Sequence, residues 1–249
     1  WGSVRNQSIL TTPEPMDLNR IFSKMVDDGC EYCVMEVSSQ ALCQKRVYGI
    51  RFCASAITNI TPEHLDYHGS MENYINSKLD LFKQSDFACV NIDDGLISEN
   101  INRINCPVLT FSIDNNNADY TAKNVLYNEN GIRYEFVGID CISRIESSLL
   151  GEFTVYNTLC AASVLINLGF DVDEISKGIK SVKCVKGRGE ILSVPRDFTV
   201  MIDYAHTPDG LRNILSAVRK ISSGRIILVF GCGGDRDKQK RPVMGEIAG

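Results

Sequence analysis

The chain has 249 residues, 44% of them hydrophobic and 23% charged, with a formal net charge of -5. That length allows one large domain or two ordinary ones, and the acid excess provides no general field for a polyanion, so no nucleic-acid partner is expected. No apolar run approaches the roughly 20 residues that span a bilayer, and no charged-then-apolar leader opens the chain; a cytoplasmic protein without a membrane partner is expected.

TPEPMDLNRIFSKMVDDG (12–29) reads as a helix with an early proline and a closing Gly29, and CVMEVSS (33–39) as a buried strand. FCASAITNI (52–60) is a second strand, and TPE (61–63) opens a helix with Thr61 as cap and Pro62 at its first position. MENYINSKLDLFKQ (71–84) is helical, FACVNID (87–93) and VLTFSI (108–113) are strands, and VLYNENGIRYEFVGI (125–139) is a hairpin around Asn-Gly. Two helices follow, ending at Gly169 and near Val182. A fresh unit begins after 186: strand FTVMIDYA, helix PDGLRNILSAVRKI, strand RIILVFG, then a glycine- and charge-rich loop before another helix start. Strands alternating with helices predict an α/β fold with a mostly parallel sheet and an antiparallel hairpin element. Residues 1–186 form one domain, and 187–249 begin a second, Rossmann-like one.

The ten cysteines (Cys30, Cys33, Cys43, Cys53, Cys89, Cys106, Cys141, Cys160, Cys184 and Cys232) fall mostly in apolar runs, which predicts reduced core residues. The Cys30–Cys33 pair runs from a helix end into a strand, the reverse of a thioredoxin-type motif.

Three stretches carry chemistry. NITPEHLDYHGSMENYINSK (59–78) holds two of the three histidines, His64 and His68, spaced to share a helix face. Glu36, inside an apolar run, is costly to bury alone; with His64 it suits a shared divalent ion at the ligand edge of an open sheet, or both are simply solvated. FGCGGDRDKQKRP (230–242) offers backbone amides and cations to an anion, or is a solvated loop. In DYAHTPDG (203–210), Asp203 and His206 hold a nucleotide ribose or phosphate, or Asp203 caps the helix.

Together TTPEP (11–15), EVSSQALCQKR (36–46), TNITPEHLDYHGSMENYINSK (58–78), GEFTVYN (151–157), GRGE (187–190), DYAHTPDG (203–210) and FGCGGDRDKQKRPVMG (230–245) resemble the Mur ligases, in family order and spacing. Within that family the likeness is to members adding the third peptide residue. The resemblance implies ATP-dependent amide formation through an acyl phosphate, with a UDP-N-acetylmuramoyl dipeptide and a diamino acid as partners. The diamino acid is meso-diaminopimelate in preference to L-lysine, and the protein is a monomer. Glu36 and His64 then match Mg²⁺ positions, and Lys78 matches a lysine carbamylated by CO₂. Thr11, Thr12, Ser38, Gln44 and Arg46 match substrate contacts, Asn157, Arg188 and Asp203 match ATP contacts with His206 close by, and His68 supports its loop. Gln40 and Thr154 depart from the family's usual histidine and asparagine. The resemblance also implies that the UDP-binding domain and phosphate-binding loop precede Trp1, and that more of the last domain follows Gly249, so the chain alone is expected to lack ligase activity. The competing readings are a folylpolyglutamate synthetase-like ligase, a phosphohydrolase built on His64, Asp66 and His68, and a non-catalytic nucleotide-binding remnant.

Overall fold

The computed structural model describes residues 10–233, 238 and 240–249. Helix α1 (Pro15–Asp27) begins with a proline in its first turn, whose missing N–H costs nothing there. Helix α2 (Ser39–Cys43) is capped by Ser38, whose hydroxyl accepts from Ala41 N. Strand β1 (Ser55–Ile57) leads to α3 (Leu65–His68) and to α4 (Met71–Leu79), capped by Ser70 and continued by a 3₁₀ turn to Gln84. Then come β2 (Ala88–Asn91), α5 (Gly95–Asn100), β3 (Val108–Ser112), β4 (Tyr120–Asn128), β5 (Gly131–Val137) and β6 (Ile142–Ser147).

Strands β1 to β6 form one six-stranded sheet in sequence order. The β1–β2, β2–β3 and β3–β4 pairs are parallel, and β4–β5 and β5–β6 antiparallel. The hairpin predicted around Asn-Gly is present, with Gly131 pairing Asn128 across Glu129 and Asn130. Helices α6 (Glu152–Asn167) and α7 (Val172–Ser181) follow, and α6 packs on strands β2 to β5. Between them lie most of the largest buried side chains, including Phe111, Tyr134, Phe136, Ile145 and Leu159. Each contributes roughly 1.5–3 kcal/mol by leaving water. A second cluster joins β1 and β2 to α4 and α5 through Ile57, Tyr74, Ile75, Phe82, Val90 and Ile97.

Strands β7 (Glu190–Leu192) and β8 (Val200–Ile202) pair antiparallel. Helix α8 (Pro208–Ile221) spans the predicted residues, with Thr207 as its cap, and α9 (Lys240–Ala248) lies against it around Leu211, Ile214 and Met244.

Several expectations are corrected. Residues 33–39 form no strand: Val34 is 97% exposed, and among the described residues no backbone ladders with it. Residues 225–231 likewise form no strand among the described residues, with Val229 at 91% exposure. A β-branched run supplies propensity, but a strand exists only through a partner. Thr61 and Pro62 do not start a helix; the first helical residue is Leu65, and His64 precedes it in a left-handed conformation with φ 57°. Of the cysteines, all free, Cys89 and Cys160 are buried, whereas Cys33, Cys43, Cys53 and Cys184 are exposed.

Candidate functional site

On one side of the molecule the chain between α1 and α2 is fastened by side chains instead of a ladder. Thr12 Oγ1 donates to the Glu36 carbonyl and accepts from Ser38 N, each at 3.0 Å, so one hydroxyl serves both polarities of an extended backbone. Arg46, whose side chain is 11% exposed, donates from one terminal nitrogen to the Thr12 carbonyl at 2.9 Å and from the other to Gln44 Oε1. Its Nε lies 3.3 Å from Glu14 Oε1, an ion pair without hydrogen-bond geometry. Gln44 Nε2 donates in turn to the Tyr67 hydroxyl at 3.3 Å. Four of the five expected substrate residues, Thr12, Ser38, Gln44 and Arg46, thus form one connected group. Thr11 is exposed beside them.

His68 is buried next to this group and joins three helices. Its Nε2 lies 2.9 Å from Ser39 Oγ, its Nδ1 4.0 Å from Cys43 Sγ, and its ring packs against Tyr74 at 5.1 Å. Ser77 Oγ, 3.2 Å from Cys43 Sγ, donates to Ser39 O at 2.9 Å. Burial pushes the imidazole below its usual range, with the charges of His64 and Lys78 acting the same way. His68 is therefore a structural member of this packing, while His64, four residues earlier, is turned elsewhere by its φ.

Lys78 extends from α4 with Nζ 5.0 Å from the Tyr74 ring centroid. Burial holds its amine below the ordinary lysine range, opposed by the nearby Glu63 and Asp94 carboxylates. Asp94 is fixed by accepting from Ile60 N and Ile97 N. Glu63 lies 3.5 Å from His64 Nε2. Glu36 belongs instead to the Thr12 group through its carbonyl, its side chain exposed. Among the described residues no group of three or more His, Cys, Asp and Glu side chains gathers as metal ligands.

On the facing unit, Asp203 accepts from Gly189 N and Ala205 N, both at 2.7 Å, and Thr207, not Asp203, caps α8. The Arg188 guanidinium lies 4.6 Å from the Tyr204 ring, which meets His206 edge-on at 5.0 Å. Arg188, Asp203 and His206 are thereby brought together; Asn157 is exposed on α6. In the expected anion-binding loop, Gly234, Asp235, Arg236, Asp237 and Gln239 lie outside the described residues.

The profile of the Mur ligase middle domain matches residues 1–165, and that of the Mur ligase glutamate ligase domain matches 187–249. The chain belongs to the Mur ligase family. Among curated relatives, the UDP-N-acetylmuramoyl-L-alanyl-D-glutamate--2,6-diaminopimelate ligase 2 of Clostridium acetobutylicum is 42% identical over 239 residues, 96% of this chain and 49% of that protein. The corresponding ligase of Caldanaerobacter subterraneus subsp. tengcongensis is 45% identical over 240 residues, again 96% and 49%. The chain spans about half the length of the curated relatives it matches. A solved structure of a UDP-N-acetylmuramoyl-L-alanyl-D-glutamate--2,6-diaminopimelate ligase superposes with a TM-score of 0.75 at 31% identity, covering 98% of this chain and 51% of that one. The MurF ligase of Thermotoga maritima in complex with ADP shares the fold, with a TM-score of 0.68 at 19% identity over 87% of this chain and 53% of that one.

The two departures from the family's pattern have structural counterparts. Thr154, where many Mur ligases carry asparagine, is buried and donates to Leu150 O at 2.6 Å, so its hydroxyl is spent on the backbone just ahead of its own helix. Gln40 Oε1 lies 3.4 Å from the Ser39 hydroxyl, beside the His68 packing. Sequence reasoning did not single out Glu63, although it stands one residue before His64 and within 3.3 Å of His206. A carboxylate adjoining one histidine was the only available signal.

Proposed function

We propose that this chain is part of an ATP-dependent ligase that joins meso-diaminopimelate to the D-glutamate carboxyl of UDP-N-acetylmuramoyl-L-alanyl-D-glutamate. The observation that carries this reading is the connected Thr12–Ser38–Gln44–Arg46 group, whose hydroxyls, amide and guanidinium are of the kinds that suit the phosphates, carboxylates and amides of such an acceptor and whose mutual bonds fasten the segment between α1 and α2. The names of relatives at 42% and 45% identity support the same acceptor and amine.

In the proposed reaction the D-glutamate carboxylate attacks the γ-phosphorus of ATP, releasing ADP and forming an acyl phosphate. The amine then adds to the acyl carbon, and phosphate leaves. Arg46 and its partners hold the acceptor in place, a positioning effect that makes the first displacement effectively unimolecular. Arg188, Asp203 and His206, fixed around Tyr204, bind and orient the nucleotide together with Asn157. When bound, Mg²⁺ neutralises phosphate charge.

Glu36, His64 and Lys78 are the proposed holders of that ion. A free amine is not a donor for so hard a cation, and the set suits Mg²⁺ only once Lys78 bears a carboxylate. Carbamylation supplies one: the neutral amine attacks CO₂ and loses a proton. The burial that keeps the Lys78 amine below its usual range favours the neutral, nucleophilic form.

The test is ADP release by the protein encoded by the natural gene, with the acceptor and either meso-diaminopimelate or L-lysine. The expected result is turnover that requires the acceptor and prefers meso-diaminopimelate. Preference for lysine would move the assignment to the lysine-adding ligases. Phosphate release from simple esters without an amine would remove the ligase reading. Intact mass in bicarbonate is expected to be heavier by one CO₂, and Lys78→Arg to abolish that increment.

A further inference from the structure

A surface cavity of about 320 Å³ opens where the ends of β4, β5 and β6 meet the last turn of α7, and none of its residues belongs to the groups described above. Its floor is backbone. Gly131, with φ 127°, lies so close to β6 that an added Cβ would sit 1.9 Å from the Ser147 carbonyl oxygen, so only glycine fits there. Around that floor stand Asn128, Asn130, Arg133, Glu146, Lys180 and Lys183. Arg133 and Glu146 are directly opposite each other on β5 and β6, Lys180 belongs to the last turn of α7, and Lys183 lies just past it.

Cations beside a helix C-terminus ordinarily answer the helix dipole, and part of this group does so: Lys183 Nζ donates to the Lys180 carbonyl at 3.1 Å. That role does not use up the charge. The lining holds three cations and one carboxylate, in a chain whose formal net charge is -5. The carboxylate is already engaged. Lys180 Nζ lies 2.8 Å from Glu146 Oε2, and that contact, with Arg133 and Arg144 nearby, holds the Glu146 carboxyl below its usual range. Donors are in excess as well. Asn128 Oδ1 accepts from Asn130 N at 2.8 Å, which leaves its Nδ2 hydrogens for another partner. Among the described residues, the Arg133 guanidinium and the Asn130 side-chain amide donate to no protein atom. A lining rich in donors and in positive charge suits a ligand made of acceptors, which is what an oxyanion is. The volume lies at the lower end of small-molecule sites, roughly 300–1,000 Å³, which favours a compact ligand over a polymer or a flat lipid surface.

We propose that this cavity is an anion site that binds a compact phosphate-bearing molecule. Arg133 supplies a planar fork of donors, Lys183 and the Asn128 amide add charge and hydrogen bonds, and Lys180 is shared between the ligand and Glu146. The site is separate from the proposed ligase reaction and requires none of its steps. Occupancy joins the β4–β5 hairpin to the end of α7 and, because the ligand binds only the folded chain, stabilises it.

The test is a titration of the natural gene product with pyrophosphate, read in ¹H–¹⁵N spectra at the backbone amides of Gly131, Arg133, Ser148 and Lys183. Saturable shifts at these amides are expected, with inorganic phosphate moving the same amides at higher concentration. Arg133 and Lys183 are exposed, so their substitution leaves the core intact. Arg133→Gln and Lys183→Gln are each expected to weaken the affinity about tenfold or more, as the loss of one charge-assisted hydrogen bond requires. Lys177→Gln removes the same charge from an exposed position of α7 outside the cavity, and is expected to weaken it less than about twofold. Equal losses in Lys177→Gln and Lys183→Gln would reduce the binding to diffuse attraction and overturn the proposal, as would shifts that grow without saturating. Phosphatidylglycerol vesicles that bind through Arg133 and Lys183 where pyrophosphate does not would make the patch a lipid-facing surface instead. The spectra require no turnover: an inactive gene product with the saturable shifts removes the ligase reading and leaves the anion site standing, and an active one without them removes the anion site alone.

Discussion

Replacing Gly151 with alanine tests how closely the two units are seated. Gly151 precedes α6 with φ 89° and ψ 157°, a region that side chains other than hydrogen essentially do not enter. Forcing alanine to stay there costs roughly 1–3 kcal/mol. An added Cβ would also lie 2.5 Å from Phe153 Cε1 and 3.0 Å from Ala217 Cβ of α8. Overpacking of that kind costs roughly 1–3 kcal/mol more, because α6 and α8 must separate or Phe153 must leave its rotamer. The internal control is Gly169, with φ 88° at the other end of α6 and nothing within 4 Å of an added Cβ. Gly169→Ala bears only the backbone cost, roughly 1–2 kcal/mol. Urea unfolding of both variants is expected to give a loss of about 2–6 kcal/mol for Gly151→Ala, larger than that for Gly169→Ala. Equal losses in the two would refute the close approach of α6 and α8 and leave only backbone strain.

His68 supplies a pH dependence. Its ring is buried with its pKa depressed, so the unfolded chain binds the extra proton more readily, and stability must rise with pH across the interval from the folded pKa to about 6.5. The stabilisation is complete above that value and declines as the pH falls below it; urea midpoints at a series of pH values should trace this, and His68→Gln should flatten the slope while lowering stability by about 1–3 kcal/mol for the lost Ser39 partner. A slope unchanged by the substitution would remove His68 as its source. Arg46→Lys keeps the charge but not the fork that reaches Thr12 and Gln44 together, so binding of the UDP dipeptide by the natural gene product, measured calorimetrically, should weaken by about tenfold or more. Undiminished binding would take Arg46 out of the acceptor group.

Much of the architecture is legible from local pattern. Helix α8 reads end to end, because Thr207, Pro208 and an apolar stripe at helical spacing all sit within one window. Strand β6 is not legible: its apolar residues Ile142 and Ile145 are three apart, and only Ile145 is buried, so no period of two emerges. Residues 33–39 and 225–231 err in the other direction, since composition reports propensity and is silent about a neighbouring backbone. In the site, the Thr12, Ser38 and Arg46 group follows motifs that are each contiguous in sequence. The His64–His68 spacing misleads, because one left-handed residue separates a ring beside Glu63 from a ring in the packing. Glu63 and His206, 143 residues apart, meet only after folding.

The sheet's mixed topology also has a consequence for the order in which the chain acquires its structure. Strands β4, β5 and β6 are joined by a two-residue loop at 129–130 and a short one at 138–141, so closing them costs little chain entropy. The parallel pairs β1–β2 and β2–β3 close only after whole helices have crossed over. The meander and α6, which share most of the largest buried side chains, are thus the natural nucleus, with the parallel half condensing onto it. Amide exchange should retain protection in β5 after it is lost from β1, the strand that leads to the proposed metal-holding residue His64. Rigidity and metal holding would then occupy opposite ends of one sheet, leaving the metal-holding end free to loosen without unravelling the rest.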